Sequence, residues 1–436
     1  MFRYIIRKIV YGFLVLLGVV TVIFVLFNIK PGDPSLMLGG QHSTPEIVQT
    51  IRKDLGLDLP FQKRYLFYLN DLSPISVHNV ENTESIIYLD SSKYTASELF
   101  SVGDNKSIVL KYPYLRKSYQ NKRNVAQIIN EKLPDTFILA LSAILIATIL
   151  GISLGIVSAV NKGKFFDNVS FIAAVAGMSA PSFFMAAIIS VVGGYTWSSQ
   201  MNLPVFPFLF ALLAACVLLI KYITKKTHFP LSFKQFFSWS LKGFILGLGV
   251  WLVYVIFYSI FNLGDWPVIS STFGFPGTGL NPNGALVELN DYSGREEYHW
   301  ENLILPAITL GIRPLAIVIQ LTRSSLLDEL SKDYIRTARS KGLSMYKVIV
   351  NHALINSLNP VITAISGWFA SLLAGAVFVE QIFDWNGIGK ELVSALKNDD
   401  FPLVIGVTIV IATFFVIINI VVDIVYGYLD PRVRLN

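Results

Sequence analysis

Glycine-rich segments are the first candidates for chemistry in this sequence. The stretch GIGKE, which begins at Gly387, combines glycine and lysine as phosphate-binding loops do. It lacks the Gly-x-x-x-x-Gly-Lys-Ser/Thr spacing that lets backbone amides surround phosphates. The glycine-rich stretch STFGFPGTGLNPNG is better explained by turns, because no strand and helix frame it. We therefore expect no phosphate-loop nucleotide site in this chain.

Nucleophiles and metal ligands are the second class of candidates. No Ser/His/Asp set and no pair of carboxylates has helical spacing within one apolar stretch. The five histidines are scattered without the spacing of metal ligands. The single cysteine, Cys216, lies in an apolar stretch and is expected to be a small buried or lipid-facing side chain. The sequence predicts no catalytic residue, no metal site and no cofactor, so we expect a protein that is not an enzyme.

Three ionisable residues lie inside long apolar stretches, where burial in lipid is expensive and a function is the default hypothesis. Arg313, in TLGIRPLAIVIQ, lies near the middle of its stretch, so it either lines a translocation path or forms a buried ion pair. Glu380 and Asp423 lie near the ends of theirs, where a structural ion pair or helix cap is favoured. Pro181, in GMSAPSFFMAA, removes a backbone donor and more often marks a packing kink than a binding site. We keep Arg313, Pro181 and Glu380 as candidates for a translocation path.

One polar and basic segment, DYIRTARSKGLSMYKVIVNHALINSLNP, begins at Asp333 between two long apolar stretches. Its order predicts a short helix, a turn at Gly342 and a second helix. Ala338 lies four residues before Gly342, which predicts a small face where another protein can dock, flanked by basic residues that attract an acidic partner. A solvated basic loop explains the charge but not the helix-glycine-helix order. The predicted docking residues are Asp333, Tyr334, Arg336, Ala338, Arg339, Lys341, Gly342 and Leu343.

The elements that must position these residues are long apolar helices. Of the 436 residues, 53% are hydrophobic and only 15% are charged, against about 25% charge in a soluble chain. Soluble domains are excluded because such helices are apolar all round and have no face for water. The chain is therefore predicted to be an all-α polytopic membrane protein with about eight transmembrane helices of about 20 residues each. They lie near 9–29, 136–160, 169–196, 205–223, 241–263, 303–323, 361–383 and 403–428.

Lysine and arginine residues collect on one side of the predicted spans, and that side faces the cytoplasm by the positive-inside rule. The N-terminus, the Asp333 segment and the C-terminus share it, whereas the loop 264–302 is acidic. The net charge of +6 therefore reflects one membrane face and requires no nucleic-acid partner. We expect a multi-pass protein in contact with membrane lipid, with both termini cytoplasmic.

The chain divides into an N-terminal transmembrane anchor (1–29), an extracytoplasmic loop region (30–134) and a transmembrane domain (135–436). The loop region is too long to be structureless. Within it, STPEIVQTIRKDLGL predicts a helix with Thr44 as N-cap and Gly56 as its stop. FQKRYLFYLNDL, after Pro60, predicts a second, amphipathic helix. The stretch 74–114 mixes β-branched runs with polar turns and is expected to be irregular and partly extended.

The Asp333 segment also carries a family resemblance. YIRTARSKGL, followed by HALIN and a proline, resembles the EAA-type cytoplasmic loop of permease subunits in peptide/nickel-type ABC importers, specifically the first (B-type) of the two permeases. Arg336 and Thr337 replace the first two residues of Glu-Ala-Ala, whereas Ala338 and Gly342 match. Further phrases match in the same order: PGDPS, TPEIVQTIRKDLGLDLP, NEKLPDTFILA, GISLGIVSA, LILPAITLG, LTRSSLL, GAVFVEQIFDWNGIGKELVSAL, DDFPLVIG and VVDIVYGYLDPRVRL. The chain departs from the family at 74–114 and at an extra helical hairpin at about 205–263.

The resemblance implies a six-helix ABC permease core in the bacterial cytoplasmic (inner) membrane, with the hairpin inserted into it. It implies four partners: a second homologous permease subunit, two ABC ATPase subunits and an extracytoplasmic solute-binding protein. The loop at about 324–360 is then the coupling loop, whose helix enters a groove on an ATPase. Hydrolysis of ATP by the partners would drive the import of peptides or a similar small solute.

Two other classes of protein fit these residues less well. An ion-coupled secondary transporter needs mid-span carboxylates or a discontinuous helix pair, and Glu380 and Asp423 lie too near the ends of their spans. Uptake that fails on ATP depletion but survives an uncoupler would exclude this class. A membrane-embedded enzyme needs a catalytic cluster, which the sequence does not offer. The solute itself stays open between an oligopeptide, a dipeptide, a nickel chelate and other small polar molecules.

Overall fold

The structure is a computed structural model, and it consists mainly of long helices. It describes residues 2–29, 35, 44–54, 56–82, 85, 87–91, 93–102, 105–196, 201–204, 207, 209–214, 217, 233–261, 272–275, 280–289 and 294–429. The α-helices named below are α1 (Phe2–Ile29), α2 (Pro45–Asp54), α3 (Phe61–Leu72), α4 (Val125–Val160), α5 (Phe165–Ser179), α6 (Ser182–Ile189), α7 (Phe233–Phe261), α8 (Ile304–Leu330), α9 (Asp333–Ser340), α10 (Met345–Val348), α11 (Leu354–Ser357), α12 (Asn359–Ile382), α13 (Ile388–Lys397) and α14 (Phe401–Leu429).

Several of these helices are suited to cross a membrane. Within the described residues, five are long and apolar enough: Ile6–Asn28, Val125–Val160, Phe237–Tyr254, Trp300–Leu330 and Phe401–Val422. Two bent pairs, Phe165–Ser179 with Ser182–Tyr195 and Met345–Ser357 with Asn359–Leu373, raise the number to seven if each pair is one span. The predicted span 205–223, with Cys216, lies largely outside the described residues. The count of eight therefore stays a prediction.

Helix α4 begins earlier than hydropathy predicts. It starts at Val125, before the predicted boundary at 136, and continues through Pro134. Its first turns bury Val125, Ile128 and Ile129 against Leu403 and other residues of α14 and α13. This extension is amphipathic rather than apolar all round, so a search for membrane spans does not detect it.

The chain is not all-α, and this corrects the predicted fold class. Strands β1 (Ile75–Asn79), β2 (Ala96–Ser101) and β3 (Lys106–Lys111) form an antiparallel sheet in the order β1-β3-β2. The stretch 74–114, predicted to be irregular, is therefore an ordered three-stranded unit. The helices predicted before it are confirmed as α2 and α3, and Gly56 ends α2 with a φ of +65°.

Two further ladders lie between α6 and α8. Strand β4 (Met201–Pro204) pairs with β5 (Thr272–Phe275), so that Met201 lies opposite Phe275 and Pro204 opposite Thr272. These two strands flank the predicted hairpin at about 205–263, which stays a prediction. Strands β6 (Val287–Leu289) and β7 (Glu296–Tyr298) form the second ladder.

Helix α8 lies against α4 with almost no space between the two backbones. A Cβ added at Gly151 would lie 2.6 Å from Cγ1 of Val318, and one at Gly155 would lie 2.5 Å from Cβ of Thr322. Glycine at both positions allows this close approach. The same pair of helices carries the main core, in which Leu139, Leu310 and Trp385 are buried.

Candidate functional site

The Asp333 segment folds in the predicted helix-glycine-helix order. Helix α9 covers Asp333–Ser340, and Gly342 follows with a φ of +79°. Ser344 then starts α10, because its hydroxyl accepts a hydrogen bond from the backbone N–H of Lys347 at 3.4 Å. A left-handed residue after a helix end favours glycine, so this part of the prediction is confirmed.

One face of α9 packs onto the membrane domain. Ile335 and Ala338 are buried in a cluster with Leu326 of α8, Ala159 of α4 and Val348 of α10. Ala338 therefore points inward, and the prediction that it forms an exposed small face at the turn is wrong. Its small size instead lets α9 lie close to the helices behind it. Leu343 packs against the same cluster.

The opposite face of α9 is exposed and basic. Asp333, Arg336 and Arg339 of α9 are exposed, as are Lys341 and Gly342 just after it. Arg336 approaches Asp333 at 3.3 Å, but the two side chains are 78% and 94% exposed, so the pair contributes little to stability. The exposed basic side chains Arg336, Arg339 and Lys341 are accessible to an acidic partner.

Two apolar residues beside α9 extend this face, and sequence reasoning missed both. Tyr346 is 75% exposed and Met345 is 42% exposed. An aromatic ring and a flexible thioether in the open are typical of protein interfaces. The usable signal was the start of a second helix after Gly342, whose first residues, Met345 and Tyr346, precede the buried Val348. We call the exposed residues Arg336, Arg339, Lys341, Met345 and Tyr346 the basic face.

Helix α9 is tied to α8 through a buried carboxylate that sequence reasoning also missed. Glu329, near the end of α8, accepts hydrogen bonds from Lys332 at 2.5 Å and from the hydroxyl of Tyr334. Asn356 of α11 donates to the same hydroxyl at 3.1 Å. The hydrogen bond from Lys332 to Glu329 raises the pKa of Lys332. Tyr334 is therefore a link between α9, α8 and α11.

A second ionic link lies at the same end of α4. Arg323 of α8 donates to both carboxylate oxygens of Asp167, at 2.5 and 2.8 Å. Asp167 also accepts from the hydroxyl of Ser158 at 2.5 Å and from the backbone N–H of Gly163 at 2.8 Å. A bidentate pair with two further donors fixes the start of α5 against α8. Arg323 and Asp167 are 156 residues apart, so no local pattern predicts their contact.

Arg313 lies on an exposed face of α8, although its neighbour Pro314 is buried. Among the described residues it has no hydrogen bond or ion pair. A buried ion pair within the described part of this chain therefore does not account for Arg313. Ile317, Gln320 and Ser324 follow at intervals of four, three and four residues and are partly or fully exposed. At 3.6 residues per turn these positions share the face of Arg313, so α8 carries an accessible, mainly polar stripe along a candidate span.

Pro181 breaks the predicted span 169–196 into two helices. It precedes α6, and the axes of the paired segments differ by 109°. Proline disfavours helical geometry in the residue before it, and Ala180 is extended with ψ of 132°. Gly177, one turn earlier, packs toward Ile312 of α8, where an added Cβ would lie 3.0 Å from Cγ2. The break therefore lies near the part of α8 that carries Arg313.

Glu380 does not face a path in this chain, and this corrects its candidacy. Its side chain is fully buried. It accepts hydrogen bonds from the hydroxyl of Thr136 at 2.7 Å and from the backbone N–H groups of Gly389 and Lys390 at 2.7 and 3.1 Å. Glu380 thus caps the start of α13, where a carboxylate also matches the helix dipole. The geometry of Glu380 therefore matches the alternative that the sequence favoured, a structural helix cap.

The same contact explains the stretch GIGKE. A Cβ added at Gly387 would lie 2.4 Å from Oε2 of Glu380, and one at Gly389 would lie 2.8 Å from the same atom. Both glycines therefore make room for the carboxylate of this chain. The stretch GIGKE forms the start of α13 and binds the carboxylate of Glu380, so no phosphate is needed to explain its glycines. In the described residues, no group of three or more His, Cys, Asp and Glu side chains is placed to hold a metal ion.

The sequence was compared with protein families and with characterised proteins. Residues 151–435 match the family model described as "Binding-protein-dependent transport system inner membrane component", and residues 1–85 match "Binding-prot-dependent transport system membrane comp, N-term". Strands β2 and β3 lie between the two matched regions.

Several relatives match nearly the whole chain, among them the following three. The "Dipeptide transport system permease protein DppB" of Alkalihalophilus pseudofirmus is 29% identical, with 100% of both chains covered. The protein of the same name from Escherichia coli K12 is 27% identical, with 100% of this chain and 99% of the relative covered. The "Probable D,D-dipeptide transport system permease protein DdpB" of Escherichia coli K12 is 30% identical, with 96% and 94% covered.

The match of the family model to more than half of the chain agrees with the multi-pass helical fold and with the resemblance carried by the Asp333 segment. The chain therefore belongs to the family of binding-protein-dependent transport system inner membrane components, the transport permeases of ABC importers, whose members are not enzymes.

Proposed function

We propose that this chain is one membrane-spanning subunit of an ATP-driven importer of dipeptides or similar small peptides. Its partners are a second homologous permease, two ABC ATPase subunits and an extracytoplasmic solute-binding protein. The observation that carries the proposal is the basic face on α9, held to the end of α8 by Glu329. The names of the relatives, which are dipeptide permeases, support the class of solute.

The basic face is the surface that enters an ATPase. Arg336, Arg339 and Lys341 attract an acidic groove, and Tyr346 supplies apolar contact area. Because Ile335 and Ala338 are packed behind α9, a push on the basic face moves the helix as a rigid element. Glu329 passes that movement to α8, which lies against α4 along most of its length. ATP-driven closure of the ATPases would then change access to the path between the two permeases.

This coupling is tested with Arg336→Glu combined with Arg339→Glu in the complete transporter. Reversing two rim charges should weaken co-purification of the ATPases and reduce ATP-dependent uptake in proteoliposomes by about tenfold or more. The matched control is Lys162→Glu, a charge reversal at an exposed lysine outside the basic face. Unchanged uptake and ATPase recovery in the double variant would contradict the coupling assignment. Uptake that collapses with an uncoupler instead of with ATP depletion would favour an ion-coupled secondary transporter.

We further propose that the stripe of Arg313, Gln320 and Ser324 lines the translocation path. An exposed guanidinium within a candidate span needs either an aqueous path or a partner subunit, because lipid is a poor environment for it. A peptide carries a C-terminal carboxylate, which the planar fork of Arg313 can bind with two hydrogen bonds.

The path assignment is tested with Arg313→Lys and Arg313→Ala. Both should assemble normally, because Arg313 has no hydrogen bond or ion pair among the described residues. Arg313→Ala should raise the KM for peptide uptake by at least about tenfold, because it removes both charged hydrogen bonds. Arg313→Lys should also be impaired if binding is bidentate. Arg123→Ala, at an exposed arginine whose carboxylate partner is Glu131, is the control. An unaffected Arg313→Ala variant would remove Arg313 from the path.

A further inference from the structure

A cavity of about 460 Å³ lies at the end of the domain opposite α9. It is bounded by α3, by the three-stranded unit, by the segment before α4, and by the ends of α1 and α14. Helix α4 defines the two ends: its last turn, at Ala159, packs with Ile335 of α9, whereas its first turn, at Val125, packs with Leu403 of α14. None of the residues used in the proposed coupling or path lines this cavity.

The polar wall of the cavity is strongly cationic. Among the described residues, five basic ones line it, namely Arg64, Lys93, Arg116, Lys117 and Lys122, and Asp71 is the one acidic residue in that lining. Asp71 already accepts a hydrogen bond from the hydroxyl of Tyr94 at 2.8 Å and lies 3.6 Å from Arg116. The charge of Asp71 is therefore engaged, and Lys93 is paired with Asp90 at 3.8 Å. The described lining still carries more basic than acidic groups.

Arg64 and Arg116 are the central pair of this wall. Arg64 is half-buried and, among the described residues, its guanidinium has no hydrogen bond or ion pair. Burial, and then the charge of Arg116, lower the pKa of Arg64. Arg116 lies over the ring of Tyr68 at 5.5 Å and is held with a left-handed φ of 66°, which is uncommon for a side chain of this size. Arg64 and Arg116 line the same cavity, and an anion bound there would offset the repulsion between them that Asp71 offsets only in part.

The floor of the cavity is apolar and belongs to the candidate membrane spans. Phe24 and Phe27 come from the end of Ile6–Asn28, and Phe401 and Ile405 come from the start of Phe401–Val422. The rings of Phe27 and Phe401 are 5.1 Å apart. The cationic wall therefore stands directly above the level at which two spans leave the hydrocarbon, where headgroups and aromatic side chains collect.

We propose that this cavity binds the headgroup of an anionic phospholipid, with the phosphate between Arg64 and Arg116 and the acyl chains along the apolar floor. Phosphate oxygens accept paired hydrogen bonds from the planar fork of arginine. An amphipathic ligand matches a site that is cationic on one side and apolar on the other, whereas a free phosphate uses only the wall. With α9 on the cytoplasmic side, the lipid belongs to the outer leaflet. The bound lipid would hold α3 and the three-stranded unit against the membrane surface beside α1 and α14.

The site is tested on the complete, delipidated transporter in detergent, titrated with phosphatidylglycerol, phosphatidylcholine or inorganic phosphate and followed by native mass spectrometry. Phosphatidylglycerol should bind more tightly than phosphatidylcholine, and Arg64→Gln should weaken it about tenfold, the loss of one charged hydrogen bond. The matched control is Lys63→Gln, which removes a charge from the exposed neighbour on α3 and should leave binding unchanged. A photoactivatable phosphatidylglycerol should crosslink to the segments around Arg64 and Phe401.

Four results would overturn the proposal. The first is equal affinity of Arg64→Gln and the unmodified transporter for phosphatidylglycerol, and the second is equal affinity of the unmodified transporter for phosphatidylcholine and phosphatidylglycerol. The third is displacement of the lipid by inorganic phosphate at matched concentration, and the fourth is its displacement by a dipeptide. The third would assign the cavity to a free anion and the fourth to the transported solute. Arg116→Gln is a second test, and if it fails to assemble, Arg64→Gln decides alone because no described ion pair is lost.

Discussion

The buried carboxylate of Glu380 offers the sharpest separation of a structural role from a transport role. Replacement by alanine removes the acceptor of the Gly389 and Lys390 amides and leaves two backbone donors unsatisfied at the start of α13. Each such donor costs about 1–3 kcal/mol, so Glu380→Ala should destabilise the folded chain by roughly 2–6 kcal/mol. Replacement by glutamine should cost only about 1–2 kcal/mol. The amide oxygen can still accept from the two backbone donors, and its NH2 group can donate to Thr136.

The assay is the thermal unfolding of the purified transporter in detergent, together with the yield of assembled complex and the rate of ATP-dependent uptake. Gln381→Ala, at the adjacent and partly exposed position of α12, is the control for truncation on the same helix. The unmodified transporter should be the most stable, followed by Glu380→Gln and then by Glu380→Ala. Uptake per assembled complex should stay close to normal in Glu380→Gln. If Glu380→Ala assembled and unfolded normally but lost uptake, the cap would be refuted and Glu380 would return to the translocation path.

Three further predictions concern other contacts. Ala338→Trp should lower the yield of complex, because an indole in the cluster with Leu326 and Val348 overpacks it by about 1–3 kcal/mol. Thr337→Trp, on the exposed side of α9, should leave the yield unchanged. Equal yields of the two variants would contradict the inward orientation of Ala338. Asp167→Asn should destabilise the chain by about 1–3 kcal/mol, below the full cost of breaking a buried pair because Arg323 is partly exposed. Asp328→Asn, exposed on α8, is its control, and identical unfolding temperatures of the two variants would argue against a stabilising pair. Burial lowers the pKa of His78, which contacts Ser76 and Ile87 inside the sheet. The unfolded chain therefore binds a proton that the fold does not, and stability should fall as the pH drops below about 6.5. Thermal unfolding of His78→Gln should lack this component, and an unchanged pH profile would exclude His78 as its source.

The sequence predicts well those features that depend on local composition. Long apolar stretches predict membrane-spanning helices because lipid offers no partner for backbone polar groups, so each segment must satisfy its own. Thr44, Pro45 and Gly56 predict the bounds of α2 because caps and turns act on neighbouring residues. Gly342 predicts the turn after α9 for the same reason. The family could also be identified from phrases that occur in a matching order along the chain.

Other features were decided by tertiary contacts. A small residue such as Ala338 suits either a docking surface or a packed helix face, and only the neighbours Leu326, Ala159 and Val348 select the second. Three strands formed where an irregular segment was expected, because β1 and β2 find their hydrogen-bond partners in β3 after intervening turns.

The charged side chains also have some features that the sequence predicts and others that only tertiary contacts decide. Their types and approximate depth could be read from the sequence, but their partners could not. Arg323 meets Asp167 across 156 residues, and Glu380 meets Thr136 across 244. Arg313, which had two open interpretations, lies exposed on α8. The physical reason is that local sequence sets backbone conformation and the free-energy cost of burying a charge, whereas the packing of distant helices determines which donor or acceptor offsets that cost.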